Sequence, residues 1–176
     1  MYERAITAAP KHAPVLGNYA DFLWKIRCDS DRAEAMFKRA IKADPKYAPA
    51  LGNYADFLRK IRCDYVWAEA MYERAIAAAP KHAPVLGNYA DFLWKVRCDY
   101  VRAEAMFKRA IKADPKCALV LSNYADFLEE ARCDYVRAEA MFKRAIKADP
   151  KCALVLSNYA DFLEEARCDY VRAEAM

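Results

Sequence analysis

VRAEAMFKRAIKADPKCALVLSNYADFLEEARCDY, running from Val101 to Tyr135, decides the fold, because Val136 to Tyr170 repeats it without a change. Outward from this pair the same unit recurs in looser form. The hexamer Asn-Tyr-Ala-Asp-Phe-Leu begins at Asn18, Asn53, Asn88, Asn123 and Asn158, always 35 residues apart. A fixed period of this length means stacked units, each too small to bury its apolar face alone and each covered by its neighbours. The expected organisation is a single array over 1–176 in five periods (1–35, 36–70, 71–105, 106–140 and 141–175), uncapped at both ends.

Within one period the apolar spacing predicts two helices. From Ala13 to Arg27, the residues Val15, Leu16, Tyr19, Leu23 and Ile26 fall at intervals of three and four, which makes an amphipathic helix A. Pro14 suits its first turn, where a missing N–H goes unnoticed, and Gly17 and Ala20 are small enough to let a neighbouring helix come close. Asn18, Asp21 and Lys25 share the opposite side, which is expected to be wet. Cys28-Asp29 then breaks the pattern, with Asp29 placed to cap the next helix. Helix B follows from about Ser30 to Ala43 with a stripe of Ala33, Met36, Phe37, Ala40 and Ile41. Glu34 and Lys38 make an i,i+4 pair outside, and Asp44-Pro45 stops the helix. The pair recurs at 48–78, 83–113 and 118–148, and connections of a few residues make each an antiparallel hairpin.

Ala33, Phe37, Ala40 and Pro45, in the spacing Ala-x3-Phe-x2-Ala-x4-Pro, resemble the second helix of the tetratricopeptide repeat, and the match recurs from Ala68, Ala103 and Ala138. Helix A departs from that family: Tyr19 follows Leu16-Gly17 one residue too early, and the period is 35 rather than 34. The stretch Tyr19-Ala20-x-Phe22, leading to Arg32-Ala33 and Lys38-Arg39-Ala40, is similar to the half-a-tetratricopeptide variant of RNA-processing assemblies. Both resemblances imply an all-α, right-handed superhelical solenoid of antiparallel helix hairpins used for protein–protein contact. Pentatricopeptide repeats share the 35-residue period and read RNA base by base. Their proline spacing fits badly, and a base code would vary positions that hold Asn18 and Asp21 identically in every copy.

The charges, 29 basic against 25 acidic, leave +4 and are interleaved, which argues against a nucleic-acid partner. No window approaches the roughly 18 uninterrupted apolar residues of a membrane span, so no membrane association is expected. Five of the seven cysteines, Cys28, Cys63, Cys98, Cys133 and Cys168, share one repeat position, and Cys117 and Cys152 share another. Equivalent positions in a stack stand about 8–10 Å apart, beyond disulfide reach, so free thiols are expected. These point to a reducing, cytoplasmic setting, although the odd count keeps interchain crosslinks and an extracellular fibre open. His12 and His82 are two periods apart and no cysteine stands near them at metal-ligand spacing. There is no triad, paired carboxylate cleft or phosphate loop. Neither catalysis, cofactor nor metal is expected.

Two surfaces remain. Asn18, Asn53, Asn88, Asn123 and Asn158 form a ladder that either holds an extended peptide backbone or bonds between repeats. Beside it the series Trp24, Arg59, Trp94, Glu129, Glu164 and the series Lys25, Lys60, Lys95, Glu130, Glu165 run from aromatic and basic to acidic, a gradient suited to steering a partner. Trp24 and Trp94 complete the candidate peptide site. The second surface is the pair of ends. Met1 holds the repeat position of Met176, so the chain opens and closes within a helix B. An end-to-end interface is expected from Met1, Tyr2, Ala5 and Ile6 at one end and Ala160, Leu163, Ala173 and Met176 at the other. Heterologous contacts of this kind propagate identical subunits into a filament. The expected partner is another copy, head to tail; the alternatives are an extended peptide or the proteins of an RNA-processing assembly.

Overall fold

The computed structural model describes residues 1–174, with 166–174 as backbone alone. Ten helices follow in order: α1 (Tyr2–Ala8), α2 (Ala13–Lys25), α3 (Ser30–Ala43), α4 (Ala48–Phe57), α5 (Tyr65–Ala78), α6 (Ala83–Lys95), α7 (Tyr100–Ala113), α8 (Ala118–Arg132), α9 (Tyr135–Ala148) and α10 (Ala153–Glu174). Among the described residues there is no strand. Even-numbered helices are the A type and odd-numbered ones the B type. Helix A is two residues shorter than expected at α2, and helix B has the expected bounds.

Each of the four complete hairpins turns at a Cys-Asp dipeptide, in a connection of four residues after α2 and α6 and of two before α5 and α9. Cys28, Cys63, Cys98 and Cys133 adopt the left-handed conformation at φ 52–53°, where glycine is the usual residue. The amide of the following aspartate reaches six residues back, as in Asp29 to Leu23 O at 2.9 Å and Asp134 to Leu128 O at 2.9 Å, one residue wider than the 6→1 bond of a Schellman helix end. That aspartate also begins the next helix. Asp29, Asp64, Asp99 and Asp134 accept from the amides of Arg32, Trp67, Arg102 and Arg137 at 3.0–3.2 Å. One dipeptide therefore ends helix A and caps helix B, which keeps the hairpin tight. In the second period the end of helix A widens into a π-helical turn, Leu58–Arg62.

The periods are joined by rings. Each helix B aromatic wedges under the tyrosine and phenylalanine of the next helix A: Phe37 against Tyr54 and Phe57 at 5.6 and 5.8 Å, Tyr72 against Tyr89 and Phe92 at 5.4 and 5.6 Å, and Phe107 against Tyr124 and Phe127 at 5.4 and 5.6 Å. Such pairs add about 0.5–1.5 kcal/mol each beyond simple burial. Successive A helices also pack directly on one another, whereas each B helix packs mainly on the A helix of its own hairpin and reaches the next period through the following A helix. The closer approach puts the A helices on the inner side of the curve. Gly17, Gly52 and Gly87 permit it: a Cβ added at Gly52 or Gly87 would lie 2.8 Å from a methyl of Val85 or Val120.

The last copy departs from the expectation. Val136 to Tyr170 has the letters of Val101 to Tyr135, yet α10 runs through the Cys168-Asp169 position as one helix of 22 residues instead of turning. In the earlier copies helix B folds back because it buries Ala138, Phe142 and Ala145 or their counterparts. Tyr170 to Met176 contains only the first residue of that stripe, Ala173, so folding back would offset little of the left-handed cysteine.

Candidate functional site

Along the inner face the asparagines are tied to the preceding repeat. Asn53 Nδ2 donates to Asp21 Oδ2 at 3.0 Å, Asn88 to Asp56 Oδ2 at 2.7 Å, and Asn158 to Asp126 Oδ2 at 3.0 Å and Ser122 Oγ at 3.3 Å. Asn18, in the first period, is exposed, and Asn123 is half-buried. The amide donors thus link repeats while the amide oxygens carry no such bond in this ladder. The face is also drier than its charges imply. Asp56 is buried, taking the Tyr72 hydroxyl at 2.6 Å on one oxygen and Asn88 on the other. The expectation of a wet side holds for Asn18 and Lys25 but fails at Asp56, because the packing of successive A helices covers it.

The second and fourth periods treat the position of Trp24 differently. Arg59 lies between two aspartates, at 2.6 Å from Asp91 Oδ2 and 3.4 Å from Asp56 Oδ1, its side chain only 10 % exposed. Although burial opposes its charge, the Tyr72, Asp91 and Asp56 neighbours raise its pKa overall. Glu129 is 9 % exposed and its Oε1 has no partner. Burial first, then Glu165, Asp126 and Glu130, push its carboxyl up to about 7. Asp126 rises to about 6 by burial, with Lys95 and Asn158 working against Glu130 and Asp91. Trp24 and Trp94 set their edges against Phe57 and Phe127 at 5.7 and 5.5 Å. Trp94 is 6 % exposed, so the indole is largely wall; Lys95 caps it, 4.5 Å above the ring.

At the ends, Tyr2 of α1 lies against Tyr19 and Phe22 at 5.2 and 5.6 Å, and Ala5 and Ile6 are half-buried. Met1 is fully exposed. On α10, Ala160 and Leu163 are exposed, while the Ala173 side chain and Met176 lie outside the described residues. One feature carries no signal in the periodic reading. Trp67, where other copies have arginine, is exposed on the outer side beside a 680 Å³ groove lined by Ile41, Leu58, Met71, Lys42 and Arg74. Comparing the copies position by position would have flagged it. Elsewhere that arginine reaches the helix A tyrosine, as Arg137 does to Tyr124 at 2.7 Å; with Trp67 in its place, Tyr54 keeps the bond to Glu34 at 3.3 Å, as Tyr89 does to Glu69 at 3.3 Å. His12 and His82 have a local task, accepting the amides of Val15 and Val85 at 3.3 Å as helix caps. Cys28, Cys63, Cys98 and Cys133 are free and exposed. No cluster of three metal-ligating side chains occurs among the described residues. Nor is any described helix long and apolar enough to cross a membrane.

Residues 98–154 match the family model described as tetratricopeptide repeat. A thermophilic tetratricopeptide protein of Thermus thermophilus superposes with a TM-score of 0.77 at 19 % identity, covering 92 % of this chain and 87 % of that one. PilF of Pseudomonas aeruginosa gives 0.74 at 21 % identity, over 94 % of this chain and 73 % of that one. YrrB, described as a tetratricopeptide protein with an unusual peptide-binding site, gives 0.61 at 18 % identity, over 95 % and 84 %. No curated protein matches the sequence. The tetratricopeptide resemblance of helix B and the all-α helical-repeat fold are thereby shown. The half-a-tetratricopeptide features of helix A are not confirmed by these matches.

Proposed function

We propose that the chain is a non-catalytic helical-repeat scaffold for protein contact whose copies stack head to tail into a superhelical filament. One contrast carries the reading. Leu121 and Leu128 are 1 % and 0 % exposed inside the array, while the same letters one period on, Leu156 and Leu163 of α10, are 43 % and 44 % exposed. Inside the array a following helix pair covers this face; on α10 nothing described does. A second copy brings the surface that fits, because every period presents the same complementary face and α1 supplies helix B residues Tyr2 and Ile6 at the other end. Burying one leucine fully is worth about 1.5–3 kcal/mol, so two half-exposed leucines and Ala160 favour association modestly, and it should depend on concentration.

Light scattering over a dilution series tests this. The expected mass rises with concentration above the 20.1 kDa of one chain, and Leu156→Glu with Leu163→Glu holds it there. A wild-type mass constant at one chain would overturn the stacking.

A second reading, an adaptor holding an extended peptide on the A-helix face, is supported by the free amide oxygens of the asparagine ladder and by the likeness to YrrB. Replacing Asn53, Asn88 and Asn123 by alanine separates the two, since peptide capture would fall while stacking would persist.

A further inference from the structure

The array contains the same inner-face site in two states. In the second period the guanidinium of Arg59 stands between Asp56 and Asp91 of successive A helices. Two periods on, the counterparts of the two aspartates are Asp126 and Asp161, and the counterpart of Arg59 is Glu129. Three carboxylates therefore replace two carboxylates and a cation. Glu129 is nine-tenths buried, and its Oε1 has no hydrogen-bond partner. A buried acceptor of this kind normally has one, because stripping its water without replacement is unfavourable. Exposed Glu130 and Glu165 stand nearby and raise its proton affinity, as does Asp126. The inward ends of the face are of opposite sign, with Lys25, Lys60 and Lys95 in the first three periods and Glu130 and Glu165 in the last two.

We infer that Glu129, with Asp126, Glu130 and Glu165, receives the guanidinium of an arginine in an extended peptide lying along the A-helix face. What Arg59 supplies to the second period from within the chain comes to the fourth from outside. Arginine is the cation of choice because its planar fork spans two carboxylates, as Arg59 does, where an ammonium is a point charge. The lysines of the first three periods orient the peptide, attracting its acidic residues away from the arginine. This inference deepens the groove reading and is independent of stacking.

The test uses the full chain, isotope-labelled and dilute enough to be monomeric, titrated with acetyl-Ala-Ala-Arg-Ala-Ala-amide while amide resonances are followed. Parallel titrations use peptides with citrulline or lysine in place of arginine. The expected shifts fall on α8 and α10, and citrulline, the neutral isostere, binds about 30-fold more weakly or worse. Glu129→Arg copies the second period and abolishes the shifts; Glu129→Gln, which keeps shape, weakens them. Circular dichroism verifies that both variants fold. Arginine and citrulline peptides binding alike, shifts unaltered in Glu129→Arg, or no shift up to the solubility of the peptide would each overturn the assignment. Peptide binding at α8 and α10 in a chain that never stacks leaves this site standing and removes only the filament; stacking without arginine binding does the reverse.

Discussion

Replacing Glu129 with glutamine should make the chain more stable at pH 8 and leave it unchanged at pH 4. The carboxyl is pushed from 4.5 to about 7 by burial and then by Glu165, Asp126 and Glu130. Asp91 and Lys95 of α6 act on it through Asp126. The folded chain thus holds the proton more tightly than the unfolded chain does. Stability contributed by this group is therefore full below the unfolded value near 4.5, and it is lost as pH rises through about 7. Raising a carboxyl this far corresponds to about 3 kcal/mol between its two protonation states. Glu130 and Glu165 stand in water, where screening removes a good part, leaving about 1–2 kcal/mol. For a chain of this length that moves the melting temperature by about 2–8 °C. Thermal melts of wild type and Glu129→Gln from pH 4 to 8 should diverge between pH 5 and 8, with the variant higher. Parallel curves at every pH would refute the claim that an ionised, unpaired carboxylate sits between α8 and α10.

Other substitutions probe other joints. Arg59→Ala leaves Asp56 and Asp91 facing each other in a covered site and should lower stability by about 3–5 kcal/mol, read by urea denaturation. Asp64→Ala removes the cap on α5 and should lower it by about 1 kcal/mol in the same assay. Cys63→Gly relieves a left-handed residue with a side chain, at φ 53°, and should be neutral or stabilising by up to about 1 kcal/mol. Gly17→Ala has room, its new methyl 3.5 Å from Ala50 Cβ, whereas Gly52→Ala meets Val85 at 2.8 Å. The first should therefore melt above the second, by a stability difference of about 1 kcal/mol or more.

The hairpins are legible in the sequence because their signals are local and recur from period to period. Proline at the first turn, aspartate at the cap, and the stripe Ala33, Phe37, Ala40 each settle a boundary without reference to anything distant. The left-handed cysteine is readable only as a break, since cysteine has no special claim on that conformation and the wide closure of the helix end is a property of the backbone. Helical spacing gives Asp56 and Trp94 an outward side but not what covers it; the cover comes from the next helix A. The Tyr72, Asp56 and Arg59 cluster is hidden for the same reason: its members come from different helices, and Asp56 alone among them is the same in every copy. The straight run of α10 goes against the pattern altogether, because the same letters turn or continue according to whether a full helix B follows.

Sedimentation velocity of the wild-type chain over a wide dilution range tests the central claim most directly. Head-to-tail stacking predicts a weight-average sedimentation coefficient that climbs with concentration, without levelling at a dimer, as the contacts extend an open array. A single sharp boundary at the value of one 20.1 kDa chain, unmoved across the whole range, would contradict it.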